Sequence, residues 1–267
     1  MLTNKMTLLI HSCGAYSDLW DGQVELLNRN WADRNAKTII LTDTNPDAYE
    51  YDGIDIITAG QGKEITERLT HVLPFIETEY VFVTLDDYYL IEKVDNARIE
   101  YLLSQMDEQK LDYIRLFPDP PSKDKIGDGL YKIHQEERKS SYYVNLYAGI
   151  WRKSFIEKTL GETLNAWQYE VSLTPLIHKL NTPCAMTMGK EYVILDVVRK
   201  GKLLHKAYNY FKKDPVYKGT RSVIARKEEI KISFRTFLNQ HLPRKVTQTL
   251  KKIMMKCGKT FYSPLDE

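Results

Sequence analysis

The chain has 267 residues, of which 43% are hydrophobic and 28% charged, a composition that fits one globular domain with room for an appendage. Its three cysteines lie far apart without a CxxC pair, which argues against a disulfide framework or a zinc site. No segment approaches the ~20 apolar residues of a membrane span, and the apolar run before His11 is too short for a signal peptide. We therefore expect a cytoplasmic protein.

Strand and helix patterns alternate along the chain, which favours an α/β fold with a doubly wound parallel sheet. Apolar runs predict strands, and apolar residues at helical spacing predict helices. The predicted strands are residues 7–12, 38–42, 54–58, 80–85, 113–117 and 142–150, with one or two more in 186–198. The predicted helices are residues 21–31, 64–76 and 153–160, and one that begins near Asn165. Residues 118–130 are rich in Pro, Gly, Asp and Lys and are predicted to be a loop.

The C-terminal part of the sequence differs from the rest in pattern and charge. From Val223 the spacing becomes that of an amphipathic helix, which Pro243 interrupts. The net charge of +2 conceals an uneven distribution. Residues 199–267 contain 18 Lys+Arg and 5 Asp+Glu, a net charge of +13. Residues 1–198 therefore contain 20 Lys+Arg and 31 Asp+Glu, a net charge of −11. A basic region on an acidic body indicates an anionic partner, nucleic acid or membrane; a solvated lysine-rich surface is the simpler alternative.

The adjacent acids Asp86 and Asp87 are the most informative feature of the sequence. They follow a nearly continuous apolar run from Tyr80 to Leu85, which predicts a buried strand. Ligands of parallel α/β sheets bind beyond the carboxyl ends of the strands, and neighbouring carboxylates commonly share a hard divalent cation with substrate phosphates. An Asp-rich turn that caps the next helix is the alternative.

The end of the first predicted strand carries a second group of polar residues, His11-Ser12-Cys13. Cys13 is a potential nucleophile, although a buried structural cysteine is the simpler interpretation. No GxGxxG follows this strand, so the usual dinucleotide-binding fingerprint is absent from the sequence.

Six segments together resemble bacterial GT-A-type glycosyltransferases associated with capsule and exopolysaccharide genes. They share the order and similar gaps with that family, and the resemblance covers roughly residues 5 to 205. The segments are Tyr16-Ser17-Asp18-Leu19-Trp20, Trp31-Ala32-Asp33, Leu85-Asp86-Asp87-Tyr88, Tyr113-Ile114-Arg115-Leu116, Ala148-Gly149-Ile150-Trp151-Arg152-Lys153 and Trp167-Gln168-Tyr169-Glu170.

The resemblance implies a Rossmann-like GT-A fold, with a catalytic domain at residues 1–205 and a basic helical C-terminal region at 206–267. It also implies a nucleotide-sugar donor, a UDP-sugar in the first instance, and Mn²⁺ or Mg²⁺ bound by Asp87, with Asp86 on the ribose or a metal-bound water. The donor would further contact five residues around the first two strands and the helix before the Asp-Asp strand: Ser12, Cys13, Tyr16, Asp43 and Arg68. An ion pair with Glu64 one turn earlier is an equally simple role for Arg68.

The same resemblance assigns the acceptor side of the reaction. Glu170 would be the catalytic base of an inverting transfer, because a carboxylate must take the proton of the acceptor hydroxyl. Trp167, Trp151 and Arg152 would bind the acceptor, a glycan or a polyprenyl-linked saccharide. The alternatives are a core Trp167 with Glu170 as an ordinary first-turn acid, and a core Trp151 beside solvated basic residues.

A polyprenyl-linked acceptor gives the basic C-terminal region a role, which is peripheral binding to the anionic inner face of the cell membrane. Two other functions stay open. A nucleotidyltransferase is disfavoured because no Gly-rich, Lys- or Arg-bearing loop follows the first strand. A protein that binds an anionic polymer through its basic C-terminus is disfavoured because we find no recognisable nucleic-acid reader module, so we expect no specific nucleic-acid partner.

Overall fold

A computed structural model describes residues 4–119, 121–133 and 143–241. Its strands, in chain order, are β1 (Met6–His11), β2 (Lys37–Thr42), β3 (Ile54–Thr58), β4 (Tyr80–Leu85), β5 (Tyr88–Leu90), β6 (Tyr113–Arg115), β7 (Lys125–Gly127), β8 (Leu130–Ile133), β9 (Gly149–Arg152), β10 (Cys184–Thr187), β11 (Ile194–Asp196), β12 (Val198–Arg199) and β13 (Lys202–Leu203). Its α-helices are α1 (Trp20–Asn30), α2 (Ile65–Val72), α3 (Asn96–Glu108), α4 (Lys153–Thr159), α5 (Ala166–Leu180), α6 (His205–Phe211) and α7 (Arg226–His241).

The main sheet has nine strands in the order β3-β2-β1-β4-β9-β6-β10-β8-β7. The first four are parallel, and β8 and β9 run against the other strands of this sheet. The chain passes from β1 outward to β2 and β3 and then returns to place β4 on the other side of β1. This reversal creates a crevice at the carboxyl ends of β1 and β4. The predicted α/β fold with a largely parallel sheet is confirmed.

Helices cover both faces of this sheet, so alternate residues of the central strands enter two different cores. On one face, Leu8 and Ile10 of β1 pack in a cluster with Trp31 after α1 and Leu102 of α3. On the other face, Leu9 packs in a cluster with residues of α2, α4 and α5. Burial on both faces explains why the central strands are continuous apolar runs rather than alternating ones.

Three predicted segments have different bounds in the structure. The helix predicted at residues 64–76 ends at Val72 and continues as a 3-10 turn, Leu73–Phe75, because Pro74 has no N–H to donate. The loop predicted at residues 118–130 contains β7 and the start of β8. The strand predicted at residues 142–150 begins only at Gly149.

The late start of β9 has a clear physical cause. Residues 143–147 are buried or half-buried, and four of their backbone N–H groups donate to side chains. The N–H of Tyr143 donates to Thr174 Oγ1, and the N–H of Leu146 donates to Glu170 Oε1, both acceptors being on α5. An apolar run that borrows acceptors from a helix in this way is indistinguishable from a strand in sequence.

A third hydrophobic cluster joins residues beyond position 205 to the body of the chain. Ala207 and Phe211 of α6, together with Val216, pack with Leu26 of α1 and Tyr89 of β5. Helix α7 follows at Arg226, and the second helical segment predicted after Pro243 lies outside the described residues. Within the described residues, no helix combines the length and the apolar character needed to cross a bilayer. The boundary between residues 205 and 206 stays a prediction.

Candidate active site at the carboxyl edge of the sheet

Ser12 and Asp86 meet in the crevice between β1 and β4. Ser12 Oγ donates a 2.5 Å hydrogen bond to Asp86 Oδ2 and accepts a 2.6 Å bond from Trp20 Nε1. Asp86 is 7% exposed. Burial raises the pKa of Asp86 to about 7, against the opposing effect of the hydrogen bonds from Ser12 and from the backbone N–H of Cys13. The two residues therefore tie together the ends of the two central strands.

The neighbours of Asp87 differ from those of Asp86. It is half-buried, and its Oδ1 atom is buried without a hydrogen-bond partner within the described part of the chain. Burial raises the pKa of Asp87 well above its ordinary range, and the negative charges of Asp86 and Asp196 raise it further. An oxygen held in this way favours a positively charged ligand, because leaving it unpaired is costly.

Asp196 is a second acid beside Asp87, and its negative charge acts on Asp87. The sequence analysis did not predict it. Strand β11 pairs antiparallel with β5, so Asp196 lies opposite Tyr88, and the N–H of Val197 donates to the carbonyl of Asp87 at 2.9 Å. The Oδ1 atom of Asp196 is also buried and unpartnered among the described residues. A signal was available, because the run Tyr192 to Leu195 ends in an acid just as the run before Asp86 does.

Arg199 supplies positive charge beside these acids. Its Nη2 atom lies 2.5 Å from Asp196 Oδ2, and its charge also acts on Asp87 and on Glu170. Its side chain is 41% exposed, so it can also reach a ligand. A lone arginine three residues after an acid carries no distinctive sequence pattern, and nothing in the sequence would have selected it.

Glu170 approaches the same edge from α5. The helix begins near Asn165 as predicted, and Asn165 caps it, with its side chain accepting from the N–H of Gln168 at 3.0 Å. Glu170 Oε1 accepts the N–H of Leu146 at 3.1 Å, which leaves Oε2 for another partner. Burial raises the pKa of Glu170, while the bond from Leu146 and the charge of Arg199 oppose that shift. Trp167, one turn earlier, is 56% exposed.

The loop after β1, residues 12–19, includes a 3-10 turn from Gly14 to Leu19. It is called the donor loop here, after the donor contacts that the sequence predicts for Ser12, Cys13 and Tyr16. Asp43, at the end of β2, braces this loop because its Oδ1 accepts from the N–H of Gly14 at 2.7 Å. A Cβ atom at Gly14 would come within 2.0 Å of Thr44 Oγ1, so a side chain there would force Thr44 to move. Burial raises the pKa of the Cys13 thiol to about 11, which keeps it protonated at neutral pH.

Arg68 projects its charge from α2 toward the end of β1. Its Nη1 donates to the carbonyl of Lys63 at 3.0 Å, while its Nε is buried and has no partner among the described residues. The charge acts on His11, Cys13, Asp43 and Asp86. Glu64, the alternative partner, is instead the N-cap of α2 and takes part in a capping box with Glu67.

Two predicted acceptor residues lie elsewhere. Arg152 pairs with Tyr80 at the start of β4, about 20 Å along the strand from Asp86 at ~3.3 Å per residue. Its guanidinium forms ion pairs with Glu79, Asp107 and Asp112. Trp151 is 1% exposed and stacks on Phe155 in the core. The structure does not bring either side chain to the edge where Asp87 and Glu170 lie, because β9 runs antiparallel to β4 and carries its last residues the opposite way.

The carboxylates at this edge of the sheet also bear on metal binding. In the described residues, no three side chains of His, Cys, Asp or Glu cluster closely enough to hold a metal ion by themselves. Asp87 and Asp196 nevertheless present two buried carboxylate oxygens, from two different elements, that have no partner in the part of the chain that the structure describes. Hard oxygen donors of this kind suit Mg²⁺ or Mn²⁺, which usually bind through one or two carboxylates and complete their coordination with substrate phosphates and water. The residues present therefore fit such an ion.

Comparison with known proteins places this fold. No family model matches the chain, and no curated protein does. Residues 1–349 of S. aureus TarS in complex with UDP-GlcNAc align with a TM-score of 0.50 and 15% identity, over 74% of this chain and 60% of that one. The same TarS fragment with UDP gives 0.49 and 12%, over 70% and 59%. The bifunctional IspDF from Campylobacter jejuni gives 0.43 and 15%, over 72% and 52%.

The chain thus spans less than two thirds of the length of each of these structures. At 12–15% sequence identity, the likeness to these structures shows the fold alone. The predicted Rossmann-like fold of the GT-A type is confirmed.

Proposed function

We propose that this chain is a glycosyltransferase that moves a sugar from a nucleotide-diphosphate donor, a UDP-sugar in the first instance, to a glycan or lipid-linked saccharide in surface polysaccharide synthesis. One observation carries the proposal. At the carboxyl edge of the sheet, the unpartnered oxygens of Asp87 and Asp196 share one locus with Arg199, whose charge also reaches the carboxylate of Glu170. Cation-binding oxygens beside a base are what transfer from a diphosphate leaving group requires.

A divalent ion would be held by Asp87 and Asp196. When bound, Mn²⁺ or Mg²⁺ neutralises the charge that develops on the departing nucleoside diphosphate. Asp86, engaged by Ser12, orients the strand ends that present Asp87. Arg199 and Arg68 add positive charge on either side of the crevice, and the buried Nε of Arg68 needs an acceptor that an anionic or carbonyl oxygen of the donor can provide.

The donor loop and Asp43 form the rest of the donor site in this proposal. Ser12, Cys13 and Tyr16 lie on the loop at the end of β1, and Asp43 holds the loop by its backbone. The Cys13 thiol takes part as a neutral contact, because its raised pKa keeps it from acting as a nucleophile.

Glu170 is the base of the proposed reaction. The backbone N–H of Leu146 fixes Oε1, so Oε2 receives the proton of the acceptor hydroxyl. The acceptor oxygen forms a bond to the anomeric carbon while the bond from that carbon to the β-phosphate oxygen breaks, which inverts the configuration. Trp167, exposed on the same face of α5, is placed to contact the apolar face of a sugar ring.

Helix α7 supports peripheral binding to a membrane. Ile230 and Phe234 lie one turn apart and are 66% and 60% exposed, next to the exposed Lys227 and Lys231. Apolar side chains flanked by lysines suit the interface of an anionic membrane. Peripheral attachment there would bring the enzyme to a polyprenyl-linked acceptor.

The decisive experiment is a donor screen with two product assays. The full chain is incubated with Mn²⁺ and with UDP-, GDP- or dTDP-sugars, and release of nucleoside diphosphate is measured together with thermal stabilisation. We expect release from one nucleotide class. Release of pyrophosphate from a nucleoside triphosphate and a sugar phosphate would instead identify a nucleotidyltransferase. Salt-sensitive binding to duplex DNA without binding to any nucleotide sugar would identify an anionic-polymer-binding protein.

A further inference from the structure

We propose that Arg221 is a positioning residue for the donor site. From the C-terminal segment it fixes the donor loop, residues 12–19, in the conformation that receives the nucleoside part of the donor. This inference rests on the proposed function and adds a residue that no sequence motif selected.

Arg221 holds Asp18 of the donor loop with both arms of its guanidinium. Its Nε lies 2.7 Å from Asp18 Oδ2 and its Nη2 lies 2.6 Å from Asp18 Oδ1. The Nη2 atom also donates to the backbone carbonyl of Ala15 at 2.8 Å. A two-pronged contact of this kind fixes orientation as well as distance, and the bond to Ala15 extends it from a side chain to the loop backbone.

The same guanidinium also covers Tyr16. Its central carbon lies 4.3 Å from the centre of the Tyr16 ring, within the range of a cation–π contact. Tyr217 adds a further contact from the C-terminal segment, since its hydroxyl donates to Asp18 Oδ2 at 2.8 Å and accepts the N–H of Arg221 at 3.2 Å. Arg221 thus touches Ala15, Tyr16 and Asp18.

The donor loop needs such support because its own structure is weak. Its regular part is a six-residue 3-10 turn, whose N-cap, Cys13, makes no side-chain capping bond. Hydrogen bonds in 3-10 turns have poorer geometry than those in α-helices. A loop that is ordered before the ligand arrives binds it more tightly, because less conformational entropy is lost on binding.

The burial of the Arg221–Asp18 pair makes it stronger than an ordinary surface ion pair. The side chains are 14% and 32% exposed, so solvent screens their attraction less than that of two fully exposed charges. The contact also joins two segments that are far apart in the sequence, because Arg221 follows α6 and Asp18 precedes α1. The Nη1 atom of Arg221 donates to the carbonyl of Gly201 at 3.3 Å.

A matched control is present in the same segment. Asp214 forms an ion pair with Arg29 of α1 at 2.5 Å, with side chains 29% and 45% exposed. This pair also joins the C-terminal segment to the body, but it does not touch the donor loop. Arg221→Lys keeps the charge and removes the two-pronged contact. Arg29→Lys makes the same substitution at the control pair, where Nη1 is the atom of Arg29 that contacts Asp214. Asp18→Asn tests the contact from the other partner if Arg221→Lys fails to fold.

The test uses the full chain and two measurements on each variant. Hydrogen exchange of the amides of residues 13–19 is followed without ligand, and the dissociation constant of UDP is measured by calorimetry in the presence of Mn²⁺. We expect Arg221→Lys and Asp18→Asn to speed exchange in the donor loop and to weaken UDP binding about tenfold. Arg29→Lys should leave both quantities within about twofold of the wild type.

The outcomes separate the two proposals. Faster loop exchange with unchanged UDP affinity would overturn the donor role of Arg221 and leave the proposed function standing, and so would unchanged exchange. If the wild-type chain binds neither UDP nor another nucleoside diphosphate, the proposed function falls, and the role of Arg221 falls with it.

Discussion

Ser12 Oγ and Asp86 Oδ2 lie 2.5 Å apart and thereby join the ends of β1 and β4. The hydroxyl also accepts the indole N–H of Trp20, so two buried polar groups depend on the Ser12 side chain. This hydrogen-bonded network sits directly behind Asp87 and fixes the strand ends on which the proposed metal site is built.

Replacing Ser12 with alanine should therefore destabilise the fold. The change leaves Asp86 and Trp20 without their Ser12 partner, and we expect the free energy of unfolding to fall by about 1–3 kcal/mol, measured by urea titration. Ser104→Ala is the control, because that hydroxyl donates only to the carbonyl of Tyr101 within α3 and is partly exposed. Equal effects of the two substitutions would show that the network adds nothing special.

Glu170→Gln should remove the proposed base without disturbing the helix. Glutamine keeps an oxygen for the N–H of Leu146, so folding and donor affinity should be preserved while kcat falls by about 10²–10⁴. Glu157→Gln, at an exposed position of α4, should leave kcat unchanged. Near-normal transfer by Glu170→Gln at saturating donor would remove Glu170 from the mechanism.

The pH dependence of the rate offers a second test of Glu170. Burial raises the pKa of its carboxyl, and the base must be deprotonated to act. The rate should therefore fall on acidification at a pH above the ~4.3 of an ordinary glutamate. A rate profile of kcat/KM that stays flat down to that pH would contradict this role.

His11 should make the stability of the protein depend on pH. Burial, with a smaller contribution from the charge of Arg68, lowers the pKa of His11 from 6.5 to about 3. The unfolded chain then binds a proton that the folded chain excludes, so stability is full above pH 6.5 and is lost as the pH falls toward 3. The expected loss has a slope of about 1.4 kcal/mol per pH unit in that window.

Comparison of the wild type with His11→Met isolates this contribution. Urea unfolding between pH 6 and pH 4 should show a shallower decline of stability for the variant, whereas His71→Gln, at an exposed position of α2, should follow the wild type. Identical slopes for the wild type and His11→Met would show that His11 is not held neutral.

The sequence predicts Ser12 and Asp86 from their positions after buried strands, and Glu170 from the family resemblance of its segment. Ser12 and Asp86 follow continuous apolar runs, and the topology of an α/β sheet brings such ends together. Asp196 follows a similar run, but its place beside Asp87 depends on the pairing of β11 with β5, a contact between distant segments that no local pattern encodes. Arg221 is further removed still, because its partner Asp18 precedes it by 203 residues.

The acceptor assignments show a different limit. The segments of Trp151 and Glu170 are equally conspicuous in the sequence, but only Glu170 lies at the carboxyl edge of the sheet. Trp151 is on β9, which runs antiparallel to β4. That reversal carries Arg152 to the far end of the sheet and leaves Trp151 in the core. Strand direction follows from pairing within the folded sheet, and hydrophobic periodicity carries no information about it.

Helix α7 should bind anionic membranes through its apolar side chains. Removal of the chain after Lys227, or the double substitution of Ile230 and Phe234 by serine, should shift the protein from phosphatidylserine-containing vesicles to the supernatant in a sedimentation assay. Donor binding should persist. Leu180→Ser, which changes an apolar residue 41% exposed on α5, is the control. Unchanged sedimentation of the double variant would contradict the membrane role.

In the proposed reaction, Asp87 would hold a divalent cation that neutralises the departing nucleoside diphosphate. Calorimetric titration of UDP into the full chain with and without Mn²⁺ tests it most directly, with Asp87→Asn beside Asp55→Asn, an exposed acid on β3. We expect Mn²⁺ to strengthen UDP binding at least about tenfold in the wild type and in Asp55→Asn but not in Asp87→Asn. Binding of UDP that is equally strong in Asp87→Asn, with the same response to Mn²⁺, would contradict it.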